Sequence, residues 1–373
     1  MSEILLTRVM VVDDSAVIRG MVTRILESDP AITVVASAPN GEVALKLYEQ
    51  NKPDMVTLDI EMPVMDGLVT LQELIKKYPD AKIVMCSTLT RENAEISLRA
   101  MALGAADYIA KPTSTTEVNS SADFREKLLS LARSFARPHA GPAPAKTERP
   151  APRPGVALPE RAKFTLPPAG TLVQLRPEPP QSWKPRILAV GSSTGGPQAL
   201  FEFFSPLKDL RNIPVVLTQH MPPTFTAILA QHIKMHTGLD CVEAAEDMPL
   251  KAGRIHLARG GLHMLVRKGD HGSLSLGLND GPPENFCKPA VDPMLRSLIP
   301  LYARDILTVI LTGMGADGLN GSRAVVEAGG VVAAQDQASS VVWGMPGAVA
   351  TQGLCSKVLQ PRELGEWVAR KVL

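Results

Sequence analysis

Charge of one sign is what this chain lacks: 39 basic residues face 38 acidic ones, and the formal net charge is +1. No global field draws it to nucleic acid or to an anionic membrane surface. Cysteine is scarce. Cys86, Cys241, Cys287 and Cys355 form no C-x-x-C pair, which argues against a disulfide framework or a zinc site and for reduced thiols in a cytoplasmic protein. No apolar run approaches a membrane span, so direct membrane insertion is not expected. The opening "MSEILLTRVMVVDDSAV" has acids on both sides of its short apolar stretch and no small-residue cleavage site. A first strand is expected there, not a signal peptide. A hydrophobic content of 45% suits a soluble chain with a real core, and 373 residues suggest two or three domains.

Proline is plentiful but unevenly spread. Of 32 prolines, 13 lie between Pro138 and Pro185, in a stretch with no sustained apolar period. Proline removes backbone donors and favours extended chain, so residues 138–183 are expected to be a semi-rigid linker, with "GTLVQL" able to dock on a neighbour. It separates residues 1–137 from 184–373. Both parts alternate strand-like and helix-like segments. The first reads as five strands with five helices. The second has the strands "RILAVGSS", "VVLTQHM", "GRIHLA", "DILTVILTGMG" and "GGVVAAQD", and a hairpin in "HMLVRKGDHGSLSLGL". The fold class is therefore α/β, two doubly wound and mostly parallel-sheet domains. In such sheets function gathers at the carboxyl ends of the strands.

In the first part those ends carry Asp13 and Asp14 after one strand, Asp59 at the end of another, then Ser87 and Lys111. Three crowded carboxylates repel one another, and a divalent cation relieves the repulsion. Oxygen ligands with room for water suit Mg²⁺. Lys111 and the Ser87 hydroxyl can then hold the oxygens of an incoming phosphoryl group.

In the second part "GSSTGG" leaves a strand and opens a helix. By itself such a turn is a helix cap, an anion cradle or the seat of a nucleophile. Gly191, Ser193 and Gly195 satisfy G-x-S-x-G, which favours Ser193 over Ser192. A serine nucleophile needs a base and the base an orienting acid. His220 and Asp317 follow later strands and can converge on it. With the ordinary histidine pKa of about 6.5, His220 can act as base at neutral pH. Backbone amides at Thr194 and near Met314 can stabilise an oxyanion. The order Ser, His, Asp differs from the Ser, Asp, His of α/β-hydrolases. His232 and His236 lack the glutamate of H-E-x-x-H and read as surface or packing residues; His256, His263 and His271 show no ligand spacing.

The motifs "VVDDS", "LDIEMPVMDG", "CSTLT" and "YIAKP" resemble, in order and spacing, those of response-regulator receiver domains. "VGSSTGG", "TQHMPPTFT", "DGPPENFCKPAVDPM", "ILTGMGADG" and "AQDQASSVVWGMP" resemble the catalytic domain of the CheB family, the chemotaxis protein-glutamate methylesterases. The resemblance covers the whole chain except the linker. It implies a flavodoxin-like receiver followed by a Rossmann-like methylesterase domain. It implies that Asp59 takes phosphate from a sensor histidine kinase, that Asp14, Asp59 and the Glu61 carbonyl bind Mg²⁺ with Asp13 joining through water, and that Ser87 and Tyr108 are the switch pair. It further implies a triad of Ser193, His220 and Asp317 acting on glutamate methyl esters of chemoreceptors, often with deamidation of receptor glutamines. Two features depart from the family: the serine before the nucleophile, where alanine is common, and the length of the linker. A receiver with a non-catalytic adaptor domain is the rival reading. A DNA-binding regulator finds no helix-turn-helix or basic recognition helix here.

Overall fold

The computed structural model describes residues 6–88, 90–111, 122–136, 173–208, 210–269 and 272–372. The linker expectation up to residue 172 and the reading of His271 lie outside them.

The first sheet runs β2-β1-β3-β4-β5, with β1 Thr7–Val12, β2 Ile32–Ala38, β3 Met55–Asp59, β4 Ile83–Ser87 and β5 Asp107–Ala110, and every pairing is parallel. Helices α1 Ala16–Leu26, α2 Gly41–Asn51, α3 Gly67–Lys77, α4 Arg91–Ala102 and α5 Ala122–Ser134 cover its faces. Four of them start where the sequence supplies an oxygen. Ser15, Asn40, Asp66 and Thr90 accept the amides of Ile18, Val43, Val69 and Asn93, satisfying donors the first helical turn leaves unpaired.

The second sheet has seven parallel strands in the order β14-β13-β12-β6-β7-β9-β8. These are β6 Ile187–Ser192, β7 Val215–Gln219, β8 Asp240–Glu243, β9 Arg254–Leu257, β12 Ile306–Ile310, β13 Val331–Gln335 and β14 Lys357–Leu359. The expected hairpin is β10 His263–Lys268 paired antiparallel with β11 Leu274–Asn279. Strands β6, β7, β12 and β13 are buried throughout, because helices lie on both faces. Those helices are α6 Gly196–Phe204, α7 Pro223–Thr237, α8 Val291–Tyr302, α9 Leu319–Glu327, α10 Met345–Thr351 and α11 Pro361–Val372. The sequence reading did not find β8 and β14. They are short, partly buried edge strands without a clean alternation. Among the described residues no helix is long and apolar enough to cross a membrane.

The described end of the proline-rich stretch, residues 173–183, is bound along the second domain. The Arg176 amide donates to the Cys355 carbonyl (2.8 Å), Ser356 Oγ to the Pro177 carbonyl (3.2 Å) and Trp367 Nε1 to Glu178 Oε2 (3.2 Å), while Lys357 pairs with Glu178. Trp367 is buried in the core as well. Trp367→Ala is expected to cost about 3–5 kcal/mol, read as a lowered urea midpoint at unchanged slope, and to open residues 173–183 to protease. A loss under about 1 kcal/mol would mean that the indole does not anchor this strap.

Candidate active site

Strand order decides which loops meet. In the second sheet β6 is central, flanked by β7 and β12, so the chain winds outward from it in both directions. Ser193 follows β6, His220 follows β7 and Asp317 lies in the loop after β12, which brings all three to the switch point.

The hydroxyl-rich turn resolves into separate tasks. Ser192 is fully buried, and its Oγ donates to Gln219 Oε1 at 2.6 Å. Gln219 in turn donates to the Ser193 carbonyl at 2.8 Å. None of the hydroxyls caps α6: its N-cap is Gly195, at φ 73°, with Pro197 in the first turn. A Cβ on Gly195 would lie 2.5 Å from Val341 Cγ2, so glycine is required both by conformation and by space. Ser193 is half-buried, and its Oγ makes no hydrogen bond to any described residue. The backbone amides of Thr194 and Met314 have no acceptor among the described residues.

His220 Nε2 donates to Asp317 Oδ2 at 2.7 Å. Asp317 is 1% exposed and surrounded by donors. The amides of Val291 (2.6 Å) and Asp292 (3.1 Å) at the start of α8, the Gly318 amide (2.9 Å) and Asn285 Nδ2 (3.0 Å) all point at it. Burial opposes its charge, but His220 and these amides outweigh burial and hold the carboxyl below its usual range. Burial also opposes charge on His220, yet Cys287 and Asp317 against its two ring nitrogens outweigh it and raise the ring above the ordinary histidine value. The expectation of an ordinary imidazole is therefore corrected: the resting ring holds its proton more tightly. Cys287 Sγ is 3.3 Å from His220 Nδ1, and Ser193 is not bonded to the ring.

Sequence reasoning missed Asn285, Cys287, Gln219 and the α8 amides as parts of this site. The stretch "ENFCKPAVD" carried the signal only as a motif, because nothing in its period shows that it folds back onto a loop far along the chain.

On the first sheet Asp13, Asp14 and Asp59 bring carboxylate oxygens within 4.8 Å of one another, a donor set that fits a divalent cation. Lys111 Nζ reaches both Asp13 Oδ2 and Asp59 Oδ1 at 2.6 Å. Burial raises the Asp59 pKa, against the pull of Lys111. Glu61 lies exposed just beyond Asp59. Ser87 Oγ is turned to Ser97 Oγ on α4 at 3.0 Å. Tyr108 is buried and stacks on Phe225 of α7, ring centroids 4.4 Å apart at 13°.

That stack belongs to a wide contact between the domains. Helix α4 packs on α6 and α7. Val342 enters the apolar cluster of α1 and α5, and Met314 and Val341 pack against it. The first domain thus covers the edge that carries Ser193.

Two parallel-sheet domains, one with an acidic pocket and one with hydroxyl, imidazole and carboxylate at its switch point, define a receiver-linked hydrolase. Residues 188–368 match the family described as CheB methylesterase, and residues 9–123 match the response regulator receiver domain. The chain is 51% identical over 368 residues to protein-glutamate methylesterase/protein-glutamine glutaminase 1 of Paramagnetospirillum magneticum, covering 97% of this chain and 95% of that protein. It is 49% identical over 371 residues to the protein-glutamate methylesterase/protein-glutamine glutaminase of group 2 operon of Rhodospirillum centenum, covering 97% and 93%. On these matches the chain belongs to the CheB methylesterase family and carries an N-terminal receiver domain. Among solved structures, the Thermotoga maritima CheB methylesterase catalytic domain is 35% identical, covering 50% of this chain and 97% of that one, with a TM-score of 0.47.

Proposed function

We propose that this chain is a phosphorylation-activated serine esterase. It hydrolyses glutamate γ-methyl esters on methyl-accepting chemoreceptors, releases methanol, and deamidates receptor glutamines during adaptation in a cytoplasmic chemosensory pathway. The observation that carries the reading is the His220–Asp317 pair, 2.7 Å apart, on the sheet edge that bears Ser193, whose Oγ has no hydrogen-bond partner among the described residues. Ser193 Oγ attacks the ester carbon and passes its proton to His220, which Asp317 orients. The Thr194 and Met314 amides hold the oxyanion. Collapse expels methanol with the proton from His220, and water repeats the cycle to leave a carboxylate. An amide passes through the same kind of intermediate and releases ammonia.

Asp59 is the phosphoacceptor for a chemotaxis-type histidine kinase. Asp13, Asp14, Asp59 and the Glu61 carbonyl would hold Mg²⁺, which neutralises charge on the phosphoryl oxygens when bound. Lys111 binds the same oxygens. Ser87 turns from Ser97 toward the phosphoryl group, which disturbs α4 and its packing on α7, and Tyr108 leaves Phe225. Methanol release from a methylated receptor, with and without acetyl phosphate, tests the whole. The expected result is slow release that rises on phosphorylation. Binding of receptor without any methanol release would leave an adaptor instead.

A further inference from the structure

Three of the four cysteines are sealed in cores, where burial pushes their thiols up to about 12. Cys287 is different: it is half-buried, and its sulfur lies 3.3 Å from His220 Nδ1. A tight turn delivers it. The Glu284 amide donates to the Cys287 carbonyl at 3.1 Å, and the Cys287 amide to the Glu284 carbonyl at 2.9 Å. Between them Asn285 and Phe286 adopt left-handed conformations, φ 50° and 62°. This conformation is unfavourable for residues other than glycine, and it persists where the surroundings enforce it.

The turn sets two groups around one catalytic pair. Asn285 Nδ2 reaches Asp317 Oδ1 and Asp292 Oδ2, each at 3.0 Å, and the thiol reaches the imidazole. Asp317 already occupies Nε2. A ring engaged at both nitrogens cannot accept the proton of Ser193. The serine hydroxyl therefore needs the nitrogen that the thiol now holds.

We propose that Cys287 is a positioning residue for the esterase: its thiol holds the Nδ1 edge of His220 at rest and yields that edge to Ser193 when an ester enters. The proposal rests on the Ser193, His220 and Asp317 assignment and adds a control on the base. At rest one proton is shared between Sγ and Nδ1, while the Nε2 proton stays directed at Asp317. On handover the shared proton goes to sulfur. Nδ1 is then free to take the Ser193 proton as the new carbon–oxygen bond forms. The titratable groups facing the ring are Cys287 from the turn and Asp317 from the loop after β12, with Asp292 at the start of α8 behind Asp317. Without the thiol, Asp317 alone holds the imidazole proton.

The test is the pH dependence of kcat/KM for methanol release by the full-length protein under acetyl phosphate, compared with Cys287→Ala and Cys287→Ser. The acid limb of Cys287→Ala is expected to move to lower pH by about one unit, with Cys287→Ser between the two. Iodoacetamide should block the wild type and spare Cys287→Ala, since the other thiols are buried. Thermal melts show which variants are folded, and Cys287→Ser serves if the alanine variant is not. Coincident acid limbs in folded variants would overturn the proposal. If Ser193→Ala is then inactive, the esterase reading stands and only the role of the thiol fails. Turnover retained by Ser193→Ala and lost in Cys287→Ala would overturn both, and make the thiol the nucleophile.

Discussion

Ser193→Ala is expected to abolish methanol release, by a factor on the order of 10⁴ or more, and to leave the fold intact. The fold should survive because Ser193 Oγ has no bonded partner among the described residues to orphan. His220→Ala should cost a similar factor, since members of a triad act as a unit. Asp317→Asn should retain more activity than either, because its amide oxygen can still accept from Asn285 and from the Asp292 and Gly318 amides. Ser192→Ala is the informative control. It strands Gln219 Oε1 in the core, at a cost of about 1–3 kcal/mol in stability, yet removes no reacting atom. Activity and urea midpoints measured on the same preparations separate the two serines. Near-normal hydrolysis by Ser193→Ala, or loss of chemistry only in Ser192→Ala, would refute the assignment.

The second large effect belongs to Asp59. Asp59→Asn is expected to remove labelling by acetyl phosphate and with it all activation, because the carboxylate held by Lys111 is the proposed acceptor. The receiver covers the edge that bears Ser193, with Tyr108 stacked on Phe225 and Met314 and Val341 packed on the receiver cluster. A shift to an uncovered state needs differential free energy between the two states. Tenfold activation corresponds to about 1.4 kcal/mol, within the reach of one phosphoryl group and its new contacts. Residues 173–373, which retain the strap and the seven-stranded sheet, should exceed the unphosphorylated whole in activity and ignore acetyl phosphate. Equal rates for the fragment and the unphosphorylated protein would rule out occlusion. Labelling of Asp59→Asn at the wild-type level would move the acceptor elsewhere.

Local pattern alone determined much of this. Apolar runs ending in Asp13, Asp59, Ser193 and His220, each followed by a helical period, dictate parallel strands whose carboxyl ends share one edge, because right-handed crossovers return every strand in the same direction. The candidate site residues were legible for that reason, and the glycines of "GSSTGG" marked where backbone and side chains crowd. Strand order was not legible. Only tertiary packing puts β6 between β7 and β12 and so brings His220 to Asp317. The G-x-S-x-G pattern favoured Ser193 from sequence, whereas what occupies Ser192 is tertiary: its hydroxyl is taken by Gln219 on the neighbouring strand. The turn that carries Asn285 and Cys287 has no period to read, and its partners lie on loops distant in sequence. The docking of the receiver depends on surfaces such as Tyr108 and Phe225, whose apolar faces look in sequence like any other core residue. Sequence period reports which face of an element is buried; what it is buried against is settled only by the packing of the whole chain.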